Sequence, residues 1–229
     1  MIRSVGGKHI LFHADSERCR YEKGFSLVLT SPPYYNPTLT SSKHGIGITG
    51  DIEQYACRVA EVLSHCSRSV IGRRVCFIKT DVWYKGALIP VGWEIMSACA
   101  RRGLQLRAHW IWQRHCGFSP YGPGFSNIFV LGDAFSRPHF SGLVTKAPVI
   151  GEKGLPRSFA PEIFGVLVKL LTQEAAVVLD PFAGIGRVME AAAVHGRRSV
   201  GVELSRSQIH LALKRLHRVP GFVFKKMRH

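Results

Sequence analysis

The chemistry in this chain concentrates first in Thr30-Ser31-Pro32-Pro33-Tyr34, which closes the apolar run 25–30. Two prolines in succession cannot continue a sheet ladder, so the strand must stop there in a fixed, extended turn. Pro32 and Pro33 have no amide hydrogens, so the turn offers carbonyl acceptors and the Ser31 hydroxyl. A phenol ring follows at once. The set suits a flat substrate bearing an NH₂ group, whose hydrogens the acceptors would hold while Tyr34 stacks on its face. The plainer alternative is a rigid loop that happens to carry a tyrosine.

A second constellation reads Val177-Val178-Leu179-Asp180-Pro181-Phe182-Ala183-Gly184-Ile185-Gly186. It is an apolar strand, an acid at its carboxyl end, a glycine-rich turn and then a helical run over 188–194. Turns without Cβ atoms let a ligand approach the backbone, and strand carboxyl ends are where doubly wound sheets bind cofactors. About twenty residues on, a second apolar strand, 199–202, ends in Glu203, whose carboxylate can accept both hydroxyls of a ribose. A third carboxylate, Asp15, follows the run Ile10-Leu11-Phe12 in the same way. An isolated G-x-G is weak evidence, and a tight turn without ligand is the plain alternative. The complete succession of strand, acid, glycines, helix, strand and acid is much harder to reach by chance.

The elements that must position these residues are legible in outline. Short apolar runs at 10–12, 25–30, 75–78, 106–111, 127–131, 176–179 and 199–202 mostly do not alternate, as in strands buried on both faces of a parallel sheet. Helical spacing lies between them. Ile52, Tyr55, Ala56, Val59, Val62 and Leu63 form one stripe behind the candidate N-cap Asp51. Ile163, Val166, Leu167, Leu170 and Leu171 form another near Pro161, and Ile209, Ala212, Leu213 and Leu216 a third behind Ser205. Strands alternating with helices predict an α/β, doubly wound, mostly parallel sheet with helices on both faces. Segments 35–50 and 113–157 are turn-rich with little periodicity, and read as loops on that scaffold.

Composition narrows the class. The 229 residues suit a single α/β domain, and 46% hydrophobic content is ordinary globular material. Every long apolar stretch is interrupted well short of ~20 residues, and the start Met1-Ile2-Arg3-Ser4 lacks a signal-peptide pattern, so a cytoplasmic protein is expected. The cysteines, six in number, are scattered with no C-x-x-C pair and read as structural thiols, not as a metal site. Thirty-one Lys and Arg against 15 Asp and Glu give a net charge of +16, which favours a polyanionic partner and nucleic acid first. The end of the chain from Leu204 carries basic residues and no acidic ones; it could track phosphates or form a solvated helix face.

Together, Thr-Ser-Pro-Pro-Tyr and Asp-Pro-Phe-Ala-Gly-x-Gly resemble the catalytic and cofactor motifs of the S-adenosylmethionine-dependent amino DNA methyltransferases. The catalytic motif comes first, which is similar to the permuted β group, and the likeness covers nearly the whole chain. His13-Ala14-Asp15-Ser16 resembles that family's adenine-contacting turn. Arg157-Ser158-Phe159-Ala160-Pro161-Glu162 resembles the helix entry that helps hold the methionine end, and residues 127–131 the late strand before target recognition. The resemblance implies a seven-stranded Rossmann-like methyltransferase sheet spanning 1–229, with a short target-recognition segment at 133–156. It implies S-adenosyl-L-methionine held by Asp15, Thr30, Phe159, Asp180, Pro181, Phe182, Gly184, Gly186 and Glu203. It implies catalysis at Ser31, Pro32, Pro33 and Tyr34, with no metal. DNA is the implied partner, and a homodimer or a cognate restriction endonuclease are further possible partners.

In that family the Ser-Pro-Pro-Tyr spelling leans toward cytosine N4, and Asp-Pro-Pro-Tyr toward adenine N6. Adenine N6 remains the alternative target. A methyltransferase acting on RNA or on a protein side-chain amide, and a catalytically silent nucleic-acid-binding subunit, also stay open. The chain departs from the family at Gly184-Ile185-Gly186-Arg187, where Gly-Ser-Gly-Thr is common, so Arg187 could touch the cofactor carboxylate or a phosphate. No Pro-Cys dipeptide occurs, which removes the usual nucleophile of cytosine-C5 enzymes.

Overall fold

A computed structural model describes residues 1–2, 8–38, 46, 50–113, 125–133 and 161–226. Its strands are β1 (His9–His13), β2 (Leu27–Thr30), β3 (Val75–Lys79), β4 (Val82–Tyr84), β5 (Ala87–Ile89), β6 (Gln105–Gln113), β7 (Phe125–Gly132), β8 (Val177–Asp180), β9 (Arg198–Glu203) and β10 (Phe222–Lys226). Its helices are α1 (Ile52–Ser67), α2 (Val91–Arg101), α3 (Pro161–Leu171), α4 (Arg187–Val194) and α5 (Arg206–Leu216).

The main sheet runs β10-β1-β9-β8-β2-β3-β7-β6. The first six strands are mutually parallel, and β7 lies antiparallel to both β3 and β6. The mostly parallel α/β sheet is therefore as expected, but it has eight strands and not seven. The extra one is β10, an edge strand pairing β1 from His9 against Phe222 to His13 against Lys226. Its aromatic and basic residues read as part of a charged tail in the sequence, because an edge strand buries only one flank.

Strand residues alternate between two helical layers. Val28, Phe77 and Leu179 face α1 and α2 through Tyr55, Val59, Leu63 and Ile95. Leu27, Leu29, Cys76 and Val178 face α3 and α4 through Ile163, Leu167, Val188 and Ala192. The α5 residues Ala212 and Leu216 close a smaller cluster with Leu11 and Met189. Cys19, Cys66, Cys76 and Cys99 are buried free thiols, and burial pushes all four up. Cys116 lies outside the described residues.

Helix starts follow the capping expectations. The Asp51 side chain accepts the Glu53 and Gln54 amides at 2.9 and 3.3 Å, and Ser205 accepts the Gln208 amide at the head of α5. Two elements are additional to the sequence expectation. The β4–β5 hairpin turns on Lys85 and Gly86, both at positive φ. Helix α2 packs through Val91, Ile95, Ala98 and Cys99, a helical spacing in a window that also holds glycine and tryptophan. Gly92 is required there, because a Cβ would stand 2.6 Å from the Phe129 ring.

The chain leaves β8 through α4 to β9 on one side, and leaves β2 through α1 to β3 on the other. Adjacent β8 and β2 thus mark the topological switch point, where the carboxyl ends open a crevice. No helix among the described residues is long and apolar enough to cross a membrane.

Candidate active site

Both sequence constellations meet at that switch point. β2 ends in Thr30 and β8 in Asp180, and the Thr30 hydroxyl donates to Asp180 Oδ1 at 2.6 Å. The same Oδ1 accepts the Phe182 amide at 3.0 Å. Asp180 is 2% exposed, and burial lifts its carboxyl to about 7. It sits under the glycine turn and ties it to the proline turn, so its influence on a ligand passes through the backbone it holds.

The glycine turn has the open geometry its residue types demand. Gly184 and Gly186 both hold positive φ, 53° and 83°, and a Cβ on Gly186 would come within 2.8 Å of Leu216. Gly184 donates its amide to Glu203 Oε2 at 2.8 Å, and Ser205 donates to Oε1 at 2.7 Å. Each carboxylate oxygen keeps an acceptor position beyond its amide, and burial raises the Glu203 carboxyl above its usual range. Ile185 and Arg187 are buried at the entry to α4. The Asp15 turn joins from β1: Ala14 donates to the Glu203 carbonyl at 3.0 Å, and Ser16 Oγ donates to the Pro181 carbonyl. Asp15 Oδ1 itself accepts the Glu17 amide at 3.1 Å.

On the other side of β8, Pro32 is buried, Ser31 and Pro33 are half-buried, and Tyr34 is 49% exposed. The exposed ring follows the fixed turn directly, with Lys79 Nζ 5.4 Å from its centroid. Tyr55 of α1 donates its hydroxyl to the Pro33 carbonyl at 2.5 Å. Tyr35 turns inward and donates to the Gly50 carbonyl at 2.6 Å, which brings the two ends of the 35–50 segment together.

Two polar residues at the end of β3 belong to this edge and were not singled out from the sequence. Lys79 reaches the Pro32 and Pro33 carbonyls. Asp81 accepts from Asn127 Nδ2 at 3.0 Å, and Asn127 Oδ1 bonds His109 Nε2 at 2.9 Å, linking the segment after β3 to β7 and the middle of β6. Burial raises the Asp81 carboxyl. The available signal was a lysine and an aspartate closing the wholly apolar run Val75-Cys76-Phe77-Ile78.

Of the expected site residues, Asp15, Thr30, Ser31, Pro32, Pro33, Tyr34, Asp180, Pro181, Phe182, Gly184, Gly186 and Glu203 all lie on the carboxyl edge of adjacent parallel strands β1, β9, β8 and β2. Phe159 lies outside the described residues, as does the 133–156 recognition segment beyond Asp133.

Residues 130–214 match the sequence model of the DNA methylase family N6_N4_Mtase, a span that includes the glycine turn and Glu203 but not the proline turn. Among solved structures, the chain is similar to a candidate DNA modification methylase from Thermus thermophilus complexed with S-adenosyl-L-methionine. Identity is 26%, the TM-score is 0.73, and 96% of this chain and 100% of that one are covered. The cytosine-N4-specific PvuII DNA methyltransferase aligns at 14% identity with a TM-score of 0.72, over 91% of this chain and 88% of that one. The M1.HpyAVI complex with SAM aligns at 14% identity and a TM-score of 0.59, over 91% and 100%. These last two likenesses are of fold alone. A search of curated protein sequences gives no match. The fold is the α/β methyltransferase fold, and the family match agrees with a DNA methyltransferase.

Proposed function

We propose that this protein transfers a methyl group from S-adenosyl-L-methionine to the exocyclic N4 of cytosine in DNA. The observation that carries the reading is the Thr30–Asp180 bond, which joins an amine-accepting turn to a glycine cradle at the switch point. When bound, S-adenosylmethionine supplies an electrophilic methyl group on a sulfonium. Glu203 would accept the ribose hydroxyls and Gly184 would allow close backbone approach. Asp15 and Phe159 would bracket the adenine and methionine ends, with Asp180, Pro181, Phe182, Thr30 and Gly186 shaping the cradle.

The amine of a nucleobase is a poor nucleophile, because its lone pair is delocalised into the ring. The Ser31 hydroxyl and the Pro32 carbonyl accept its hydrogens and favour a more tetrahedral nitrogen. Tyr34, exposed beyond the rigid prolines, stacks on the extruded base. Direct attack on the methyl group is then mainly a matter of positioning and electrostatics. DNA as substrate agrees with the net charge of +16.

Ser31 in the first position of the motif supports cytosine. The matched family name covers N6 and N4 alike, which keeps adenine N6 as the second reading. The test is to digest DNA incubated with enzyme and cofactor to nucleosides and identify the product by mass spectrometry. N4-methylcytosine is expected. N6-methyladenine alone would reverse the base assignment, and no methylated nucleoside would remove the activity.

A further inference from the structure

Lys79 is the last residue of β3 and is 3% exposed, inside a strand whose other four residues are buried. Lysine is almost never buried this way without a partner for its amine. Here Nζ lies 3.1 Å from the Pro32 carbonyl oxygen and 2.5 Å from that of Pro33. The rings of Tyr34 and Tyr55 flank it, with centroids 5.4 and 5.3 Å from Nζ. Burial lowers the amine to about 7, and even the neutral amine has two N–H groups, as many as the carbonyls it bridges. An apolar residue of similar length would fill the same space at lower desolvation cost. The polar head therefore serves the turn.

A proline pair contributes acceptors and no donors, so its carbonyls must be held by donors from other residues. Pro33 O receives Tyr55 from α1 and Lys79 from β3. Pro32 O receives Lys79. A carbonyl oxygen has two acceptor positions, so Pro32 retains one for a substrate amine while Lys79 occupies the other. Fixing both peptide planes also fixes where Tyr34 leaves the turn. We infer that Lys79, seconded by Tyr55, is a positioning residue for methyl transfer, aiming the Pro32 carbonyl at the substrate amine and setting the stacking plane of Tyr34. The inference rests on the methyltransferase reading above.

The experiment compares Lys79→Met, Lys79→Gln and Tyr55→Phe with the parent protein. The measurements are melting temperature, S-adenosylmethionine affinity by calorimetry, and kcat and KM on DNA. Loss of two hydrogen bonds that aim the reacting group predicts kcat down by about 100-fold in Lys79→Met. Cofactor affinity and KM should stay within about threefold, a smaller factor than any lost hydrogen bond to a charged group would give. Lys79→Gln, which keeps an N–H donor, should recover part of the rate, and Tyr55→Phe should lose less than about tenfold. A Lys79→Met enzyme with parental kcat would overturn the inference, as would equal losses in kcat and cofactor affinity. Should Lys79→Met not fold, parental kcat in both other variants overturns it equally. A parent protein that methylates no DNA would remove the methyltransferase reading, and this inference with it.

Discussion

Glu203 accepts the Gly184 amide at 2.8 Å, so the acid ending β9 grips the turn that follows β8. This contact holds the carboxylate beside the glycine cradle while its second oxygen takes Ser205. Glu203→Ala removes both the grip and the proposed ribose acceptors, and S-adenosylmethionine affinity should fall by roughly 10- to 100-fold, the worth of one charged hydrogen bond or slightly more. Glu203→Gln keeps one acceptor and should fall less. Calorimetric titration decides it, and parental affinity in both variants would remove the cofactor assignment.

Asp180 supplies a pH signature of the buried tie. In the unfolded chain its carboxyl ionises near 3.8, and in the folded protein burial holds it to about 7. Between those values the folded protein keeps a proton that the unfolded chain has lost. Its contribution to stability is therefore full below about 4 and is lost as pH rises through about 7. Asp180→Asn can still accept from Thr30 and Phe182 through its amide oxygen but does not titrate. Thermal melts from pH 4.5 to 8 should show the parent losing ground relative to the Asn variant as pH rises. Parallel curves would mean that the carboxyl is ionised in the folded protein throughout.

Tyr34→Ala should lower transfer to DNA by about 5- to 150-fold, the range that loss of one base–aromatic stack allows. Tyr34→Phe should be mild, because the proposed stacking uses the half-exposed ring and not its hydroxyl. Cofactor affinity should hardly move in either. Single-turnover methylation at saturating cofactor separates the two effects, and a parental rate in Tyr34→Ala would sink the base-clamp role.

The parts of the site that were readable in the sequence are those made by neighbours in the chain. The glycine turn, the proline pair, Asp51 and Ser205 each declare themselves within a few residues, because turns and caps are local devices. Lys79 could not be read this way: its partners Pro32 and Pro33 are 47 and 46 residues away, and only the β2–β3 pairing brings them together. Asp180 was readable as a site residue, but its bond to Thr30, 150 residues distant, was not. The hairpin β4–β5 has strands of three residues each, too short for alternation to register.

The face proposed to meet DNA is open to an electrostatic test. α5 follows β9 and leads back to parallel β10, so it runs from the carboxyl edge toward the amino edge of the sheet. Lys214, Arg215 and Arg218 lie at its far end, and Arg215 is paired with Glu190 at 2.9 Å. Their substitution by Ala should leave DNA affinity and its salt dependence near the parent's. Lys43, His44, Arg137, His139, Lys146, Lys153 and Arg157 fall in segments 39–45 and 134–160, which lie outside the described residues. Neutralising a phosphate-contacting Lys or Arg there should weaken all DNA sequences alike and flatten the slope of log affinity against log salt by ~1 per contact. A base-reading Arg would instead relax specificity. Fluorescence anisotropy of a labelled duplex across a salt series measures both. A flat salt dependence in the parent would remove the electrostatic reading, and α5 substitutions that outweigh those in the loops would put the DNA on the opposite edge of the sheet.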